Sequence, residues 1–158
     1  MKWQGAAQLA RRQGEDSHQT AAPVRTPIAT VIAEKGKAAM FADDDDRLES
    51  ARMLAEGGSR SAGAEAYRSI AVDSGVGEDV RLEAARGLAE VDERAAVAAY
   101  QSIAVDSGVG EDVRLEAARG LAEVDERAAV AAYRSIAVDS GVGEDVRLEA
   151  ARGLAEVS

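Results

Sequence analysis

From Tyr67 the chain reads YRSIAVDSGVGEDVRLEAARGLAEVDERAAVAA, and from Tyr100 the same string returns with Gln101 in place of Arg68. From Tyr133 it returns once more, as far as Val157, so the period is 33 residues. Upstream, RLESARMLAE at Arg47–Glu56 echoes RLEAARGLAE at Arg81–Glu90 at a spacing of 34. A degenerate half-unit therefore occupies 43–58, and the repeats that follow end near 91, 124 and 157. A unit this short with apolar residues on two faces cannot bury them alone, whereas stacked copies bury them against one another. The expected fold is all-α, an α-solenoid of stacked two-helix repeats over residues 42–158.

Punctuation inside the unit separates the two helices. In the middle copy Asp92 is an N-cap residue and Glu93 places negative charge in the first turn. Ala96, Val97, Tyr100, Ile103 and Ala104 then recur at helical spacing, which predicts a first helix ending near Ser107. Gly108-Val109-Gly110 breaks it, with Gly108 expected in the left-handed conformation, and Glu111-Asp112 opens the second helix. That helix runs to about Val124 with one stripe of Val113, Ala117, Leu121 and Val124 and another of Leu115, Ala118 and Ala122, so it needs neighbours on both sides. Asp125 caps the next first helix almost without a linker. The half-unit and the three pairs after it predict seven helices.

Composition agrees and removes several classes of function. Aromatic residues are 3% of the chain, so the core is made of Ala, Val, Leu and Ile, as close-packed helices require. There is no Cys, which excludes disulfides, thiolate metal sites and a Cys nucleophile. A net charge of −10 disfavours nucleic acid and anionic membrane surfaces. Met1–Ala22 has no apolar stretch of signal-peptide type, and the run Pro27–Ala33 is far short of the roughly 20 residues that span a bilayer. A cytoplasmic location is the expectation.

Residues 1–41 form a contrasting arm. They hold every Lys (Lys2, Lys35, Lys37) and both Pro (Pro23, Pro27), and they are net positive where the array is acidic. Residues 13–26 read as unstructured, and Thr26–Met40 reads as a helix with Pro27 at its first position, with two readings open: a cap on the first unit, or a loose arm held near the acidic array.

Glu111–Val124, EDVRLEAARGLAEV, resembles the second helix of bacterial HEAT-like repeats, with its Val-Arg pair, Ala-Ala step and Leu-small-acidic-aliphatic close. Asp125–Asp139 resembles the junction and first helix of that family, with Glu where Pro is usual and a longer turn between the helices. Tetratricopeptide repeats are the alternative, since Ala96 and Tyr100 match the spacing of that family's small and aromatic pair, although its Trp, Leu-Gly and Pro signatures are missing. Either resemblance implies protein-protein scaffolding without catalysis.

The chemistry-bearing residues have structural readings. The Gly-x-Gly turns at Gly75/Gly77, Gly108/Gly110 and Gly141/Gly143 lack the preceding strand and third Gly of a dinucleotide-binding loop. Asp106, Glu111 and Asp112 lack the alternating spacing of a calcium loop and read as capping residues, as does the run Asp43–Asp46. The lone His18 sits in the polar stretch SHQT with no nucleophile or carboxylate to complete a site. No catalytic, cofactor or metal residue is assigned. Gly87, Gly120 and Gly153 lie inside second helices, where Gly is costly, and read as places of close helix crossing. Arg114 and Arg119 read as partners for Asp106, Glu116 or Glu123.

What is left for partner binding is the ladder Tyr67, Tyr100 and Tyr133, for which interhelical packing is the stronger reading, and the variable positions Arg68, Gln101 and Arg134. The expected function is a non-enzymatic interaction scaffold for a protein or peptide. The letter-identical copies also fit a consensus or engineered repeat protein without a natural partner. Because the third copy runs unmodified to Val157, self-association through this uncapped C-terminal repeat is expected as well.

Overall fold

The computed structural model describes residues 43–158. The arm at 1–41, its expected helix and His18 lie outside the described residues. Seven helices are formed among the described residues: α1 Asp44–Glu56, α2 Arg60–Ala71, α3 Glu78–Val91, α4 Glu93–Val105, α5 Glu111–Val124, α6 Glu126–Val138 and α7 Glu144–Glu156. Even-numbered helices are the first helices of the repeats and odd-numbered ones the second. Each packs on its neighbours in sequence and on the helix two places along. The result is an all-α solenoid of two-helix repeats.

Single aspartates make the junctions between repeats. The Asp92 carboxylate accepts from the Ala95 amide at 3.1 Å, while its own amide donates to the Leu88 carbonyl at 2.7 Å, so one residue closes α3 and opens α4. Asp125 does the same between α5 and α6. Capping of this kind contributes about 0.5–2 kcal/mol per helix and fixes its first residue. The degenerate half-unit closes differently: Gly58 takes φ +89°, and the Ser59 amide reaches back to the Leu54 carbonyl at 3.1 Å. Only Gly adopts such a φ without strain.

The core runs through the described array as one chain of aliphatic layers. Leu88, Ile103, Leu121 and Ile136 are its largest fully enclosed side chains. On α4 the expected stripe of Ala96, Tyr100, Ile103 and Ala104 is buried; on α5 both stripes contribute, through Ala117 and Leu121 and through Leu115 and Ala118. Val97, Val113, Val124 and Ala122 are half-buried.

Two features of the turn differ from expectation. The first helix ends at Val105 rather than Ser107, and Gly108 does not adopt positive φ, because Asp106 leaves the helix in an extended conformation and organises the turn itself. Its carboxylate accepts from the Gly108 amide at 2.9 Å, and its carbonyl accepts from the Val109 amide at 3.1 Å. This aims Val109 inward, where it is buried like Val76 and Val142 in the sister turns. The DSGVGED segment is thus a plug with an aliphatic tip.

Candidate protein-binding face

The three tyrosines are packing residues by position. Tyr67, Tyr100 and Tyr133 are buried, and each ring lies over a glycine of the following second helix. A Cβ at Gly87, Gly120 or Gly153 would stand 2.5, 2.6 or 2.7 Å from ring carbons of Tyr67, Tyr100 or Tyr133. Those glycines therefore make room for a ring and do not mark a backbone crossing. The crossing occurs at Gly63, whose added Cβ would meet the Ala55 backbone at 2.7 Å. Burial pushes each Tyr hydroxyl above its ordinary pKa.

The arginines of the second helices work between repeats. Arg114 is buried, and its Nε donates to the Ala104 carbonyl at 3.1 Å while an Nη donates to Asp139 of the next turn at 3.0 Å. Arg81 repeats this with Ala71 and Asp106, and Arg47 reaches Asp73. Asp106 is thus the partner of Arg81, not of Arg114 as expected. A second link runs alongside: Glu78 accepts from the Gly110 amide at 2.6 Å, so a carboxylate from one repeat caps the second helix of the next, and Glu111 does the same for Gly143. Gly amide donation, followed by the guanidinium, holds Asp73, Asp106 and Asp139 below the ordinary carboxylate range.

Along the face of the odd-numbered helices the exposed charges form a ladder. Arg86 bridges Glu83 at 3.3 Å and Glu116 of the next repeat at 3.0 Å, and Arg119 bridges Glu116 and Glu149. No ion pair between Arg119 and Glu123 is formed among the described residues. A cleft of about 480 Å³ between α1 and α3 opens on this face, but its arginines are engaged: Arg60 with the Glu90 carbonyl, Arg86 with Glu83 and Glu116, Arg52 with Glu49 and Glu83.

The opposite situation holds on the first helices. Arg94, Ala98, Gln101 and Val105 follow one another at helical spacing down an exposed stripe of α4, and Arg127, Ala131, Arg134 and Val138 do so on α6. Val72, Val105 and Val138 are 57%, 60% and 73% exposed, one per repeat. Between the two stripes lies a groove of about 320 Å³ lined by Ala98, Gln101, Ser102, Val105, Ala128, Ala131 and Ala132.

The variable positions fall here. Arg68 spans the gap from α2 to the Asp92 cap of α4 at 3.4 Å. Gln101, the equivalent residue one repeat on, makes no such bridge to Asp125 among the described residues, and it is at this step that the groove lies. Arg134 is exposed on α6, one turn after the lining residue Ala131.

No group of three or more His, Cys, Asp or Glu is placed to hold a metal ion among the described residues, and no described helix is long and apolar enough to cross a membrane. Comparison with protein-family models, with curated proteins and with solved structures finds no match.

Proposed function

We propose that this chain is a non-enzymatic protein-interaction module of HEAT-like type, and that it binds its partner on the exposed face of the first helices. The groove between α4 and α6 carries the reading: Ala98, Val105 and Ala131 line it as exposed aliphatic side chains outside the core and the charge ladder, over a floor of the buried Ala128 and Ala132. Elsewhere Arg81, Arg114, Glu78 and Glu111 hold one repeat against the next, and such contacts give an array rigidity, not chemistry. Grooves of this kind take segments of other proteins through a few aliphatic anchors.

Selection of displayed random peptides against the full chain tests this. Enriched peptides are expected to lose binding to Ala131→Gln, which fills the groove with a neutral polar side chain at an exposed position, and to keep it with Glu49→Gln on the other face. Failure of any peptide to enrich would favour the second reading, a consensus-type array without a partner, which the letter-identical copies support. Enriched peptides indifferent to Ala131→Gln would move the site elsewhere.

A further inference from the structure

We infer that the occupant of the α4–α6 groove is an acidic segment with aliphatic side chains, an assignment that rests on the proposed binding role of that groove. The chain carries a net charge of −10, so at long range it attracts cations. The groove has the opposite local character. Arg94 lies one turn before Ala98 on the α4 stripe, Arg127 holds the same place before Ala131 on α6, and Arg134 follows Ala131 by one turn. All three are exposed, and among the described residues none has a carboxylate within ion-pair distance; Arg60, Arg147 and Arg152 share this, while Arg47, Arg52, Arg68, Arg81, Arg86, Arg114 and Arg119 are all ion-paired.

The carboxylates nearest in sequence leave these arginines available. Asp125 is occupied in capping, accepting from the Ala128 amide at 3.0 Å. Glu93 and Glu126 each precede an arginine by one residue and so project about 100° away around the helix. Gln101 removes the guanidinium that in the preceding repeat ties α2 to Asp92, so no charged side chain lines the groove, and Arg94, Arg127 and Arg134 stand one helical turn from its lining alanines. An aliphatic centre flanked by carboxylates matches that pattern. Fields of exposed charges fade beyond about 8 Å at physiological salt, so the arginines at the groove outweigh the distant net charge once a ligand is seated.

Net charge and local charge make opposite predictions, and one experiment separates them. Three labelled peptides share a Leu-Val-Ala-Leu centre and differ only in flanks of glutamate, glutamine or lysine; their binding to the full chain is followed by fluorescence anisotropy. The glutamate peptide is expected to bind about tenfold more tightly than the glutamine peptide at physiological salt, where the distant net charge is screened, the sum of a few exposed ion pairs, and the lysine peptide weakest. The advantage should shrink with added salt and in Arg94→Gln/Arg127→Gln, whose thermal midpoint should match that of the parent because both positions are exposed. Equal binding of the glutamate and glutamine peptides, strongest binding of the lysine peptide, or a glutamate preference untouched by the double variant would overturn the acidic assignment. In those cases loss of binding to all peptides on Ala131→Gln would still uphold the groove, and absence of binding by all three would remove the groove as well.

Discussion

Tyr100 and Gly120 act as one packing unit, and their energetics should be measured together. Alanine is favoured over glycine inside a helix by roughly 1 kcal/mol. At Gly120, however, the new methyl would stand 2.6 Å from Cε1 and Cζ of the Tyr100 ring. Overpacking of that kind costs about 1–3 kcal/mol, so Gly120→Ala is expected to destabilise despite the propensity gain. Tyr100→Ala should cost about 3–5 kcal/mol, and in its background Gly120→Ala should turn neutral or favourable. Urea unfolding of the two single variants and the double variant checks this; additive losses would mean that ring and glycine do not meet. The repetition of a costly glycine marks a packing role in the sequence, but its partner is a ring from the preceding first helix, which periodicity along one helix cannot reveal. Asp106 is the other residue with a measurable signature. Its folded pKa lies below the unfolded value, so its stabilisation is complete above the ordinary carboxylate range and is lost as pH falls through that range toward the folded value. Asp106→Asn should therefore flatten part of the acid limb of the urea midpoint against pH. The buried tyrosines have the reverse sign: their pKa is raised, so their contribution is lost as pH rises past the ordinary phenol value.

At the level of elements, what joins helix to helix divides into two kinds of arginine. Arg114 is enclosed and satisfies both the Ala104 carbonyl, left open where α4 ends, and Asp139 of the following turn. Arg114→Met keeps most of the volume and strands both acceptors, so a loss of about 2–3 kcal/mol is expected. Arg119, nearly half-exposed and bridging Glu116 and Glu149, is a rung of the surface ladder, and Arg119→Met should cost under about 1 kcal/mol. Equal losses in thermal or urea unfolding would contradict the division. The junctions between repeats were legible because aspartate at Asp92 and Asp125 is a local signal, read from one residue and the amide three places on. The turn was legible only as a break. Its glycines suggested a left-handed cap, yet Asp106 supplies the turn geometry through its own side chain and Val109 is drawn into the core, outcomes set by the neighbouring repeat. Glu78 capping Gly110, and Arg81 reaching Asp106, span 32 and 25 residues, and such distances carry no local pattern. The groove was hidden for the same reason. Gln101 was visible as the one variation among the copies, but its consequence depends on Asp92 and Asp125 standing one helix away.

Across the whole array, identical residues acquire different worth from their place in the stack. Leu115 is 3% exposed beneath the following repeat, while Leu148, the same residue one period later on α7, is 51% exposed. Leu115→Ala should therefore cost about 2–5 kcal/mol, and Leu148→Ala should stay within about 0.5 kcal/mol. The unspent apolar surface has a second consequence. Ala151 and Ala155 are exposed beside Leu148, whereas their counterparts Ala118 and Ala122 are covered or half-covered. Among the described residues, no helix covers the side of α7 that corresponds to the face binding the next repeat in α3 and α5. This side is small and is opposed by the negative net charge, so association should be weak and concentration-dependent, and salt that screens repulsion beyond about 8 Å should promote it. Sedimentation of the chain at rising protein concentration and moderate salt is expected to show self-association that Leu148→Glu removes without lowering the thermal midpoint. A monomer throughout that series would show that Leu148 and its neighbours are too small a surface to hold a second chain, and that in an acidic array of this kind burial between repeats depends on covalent succession.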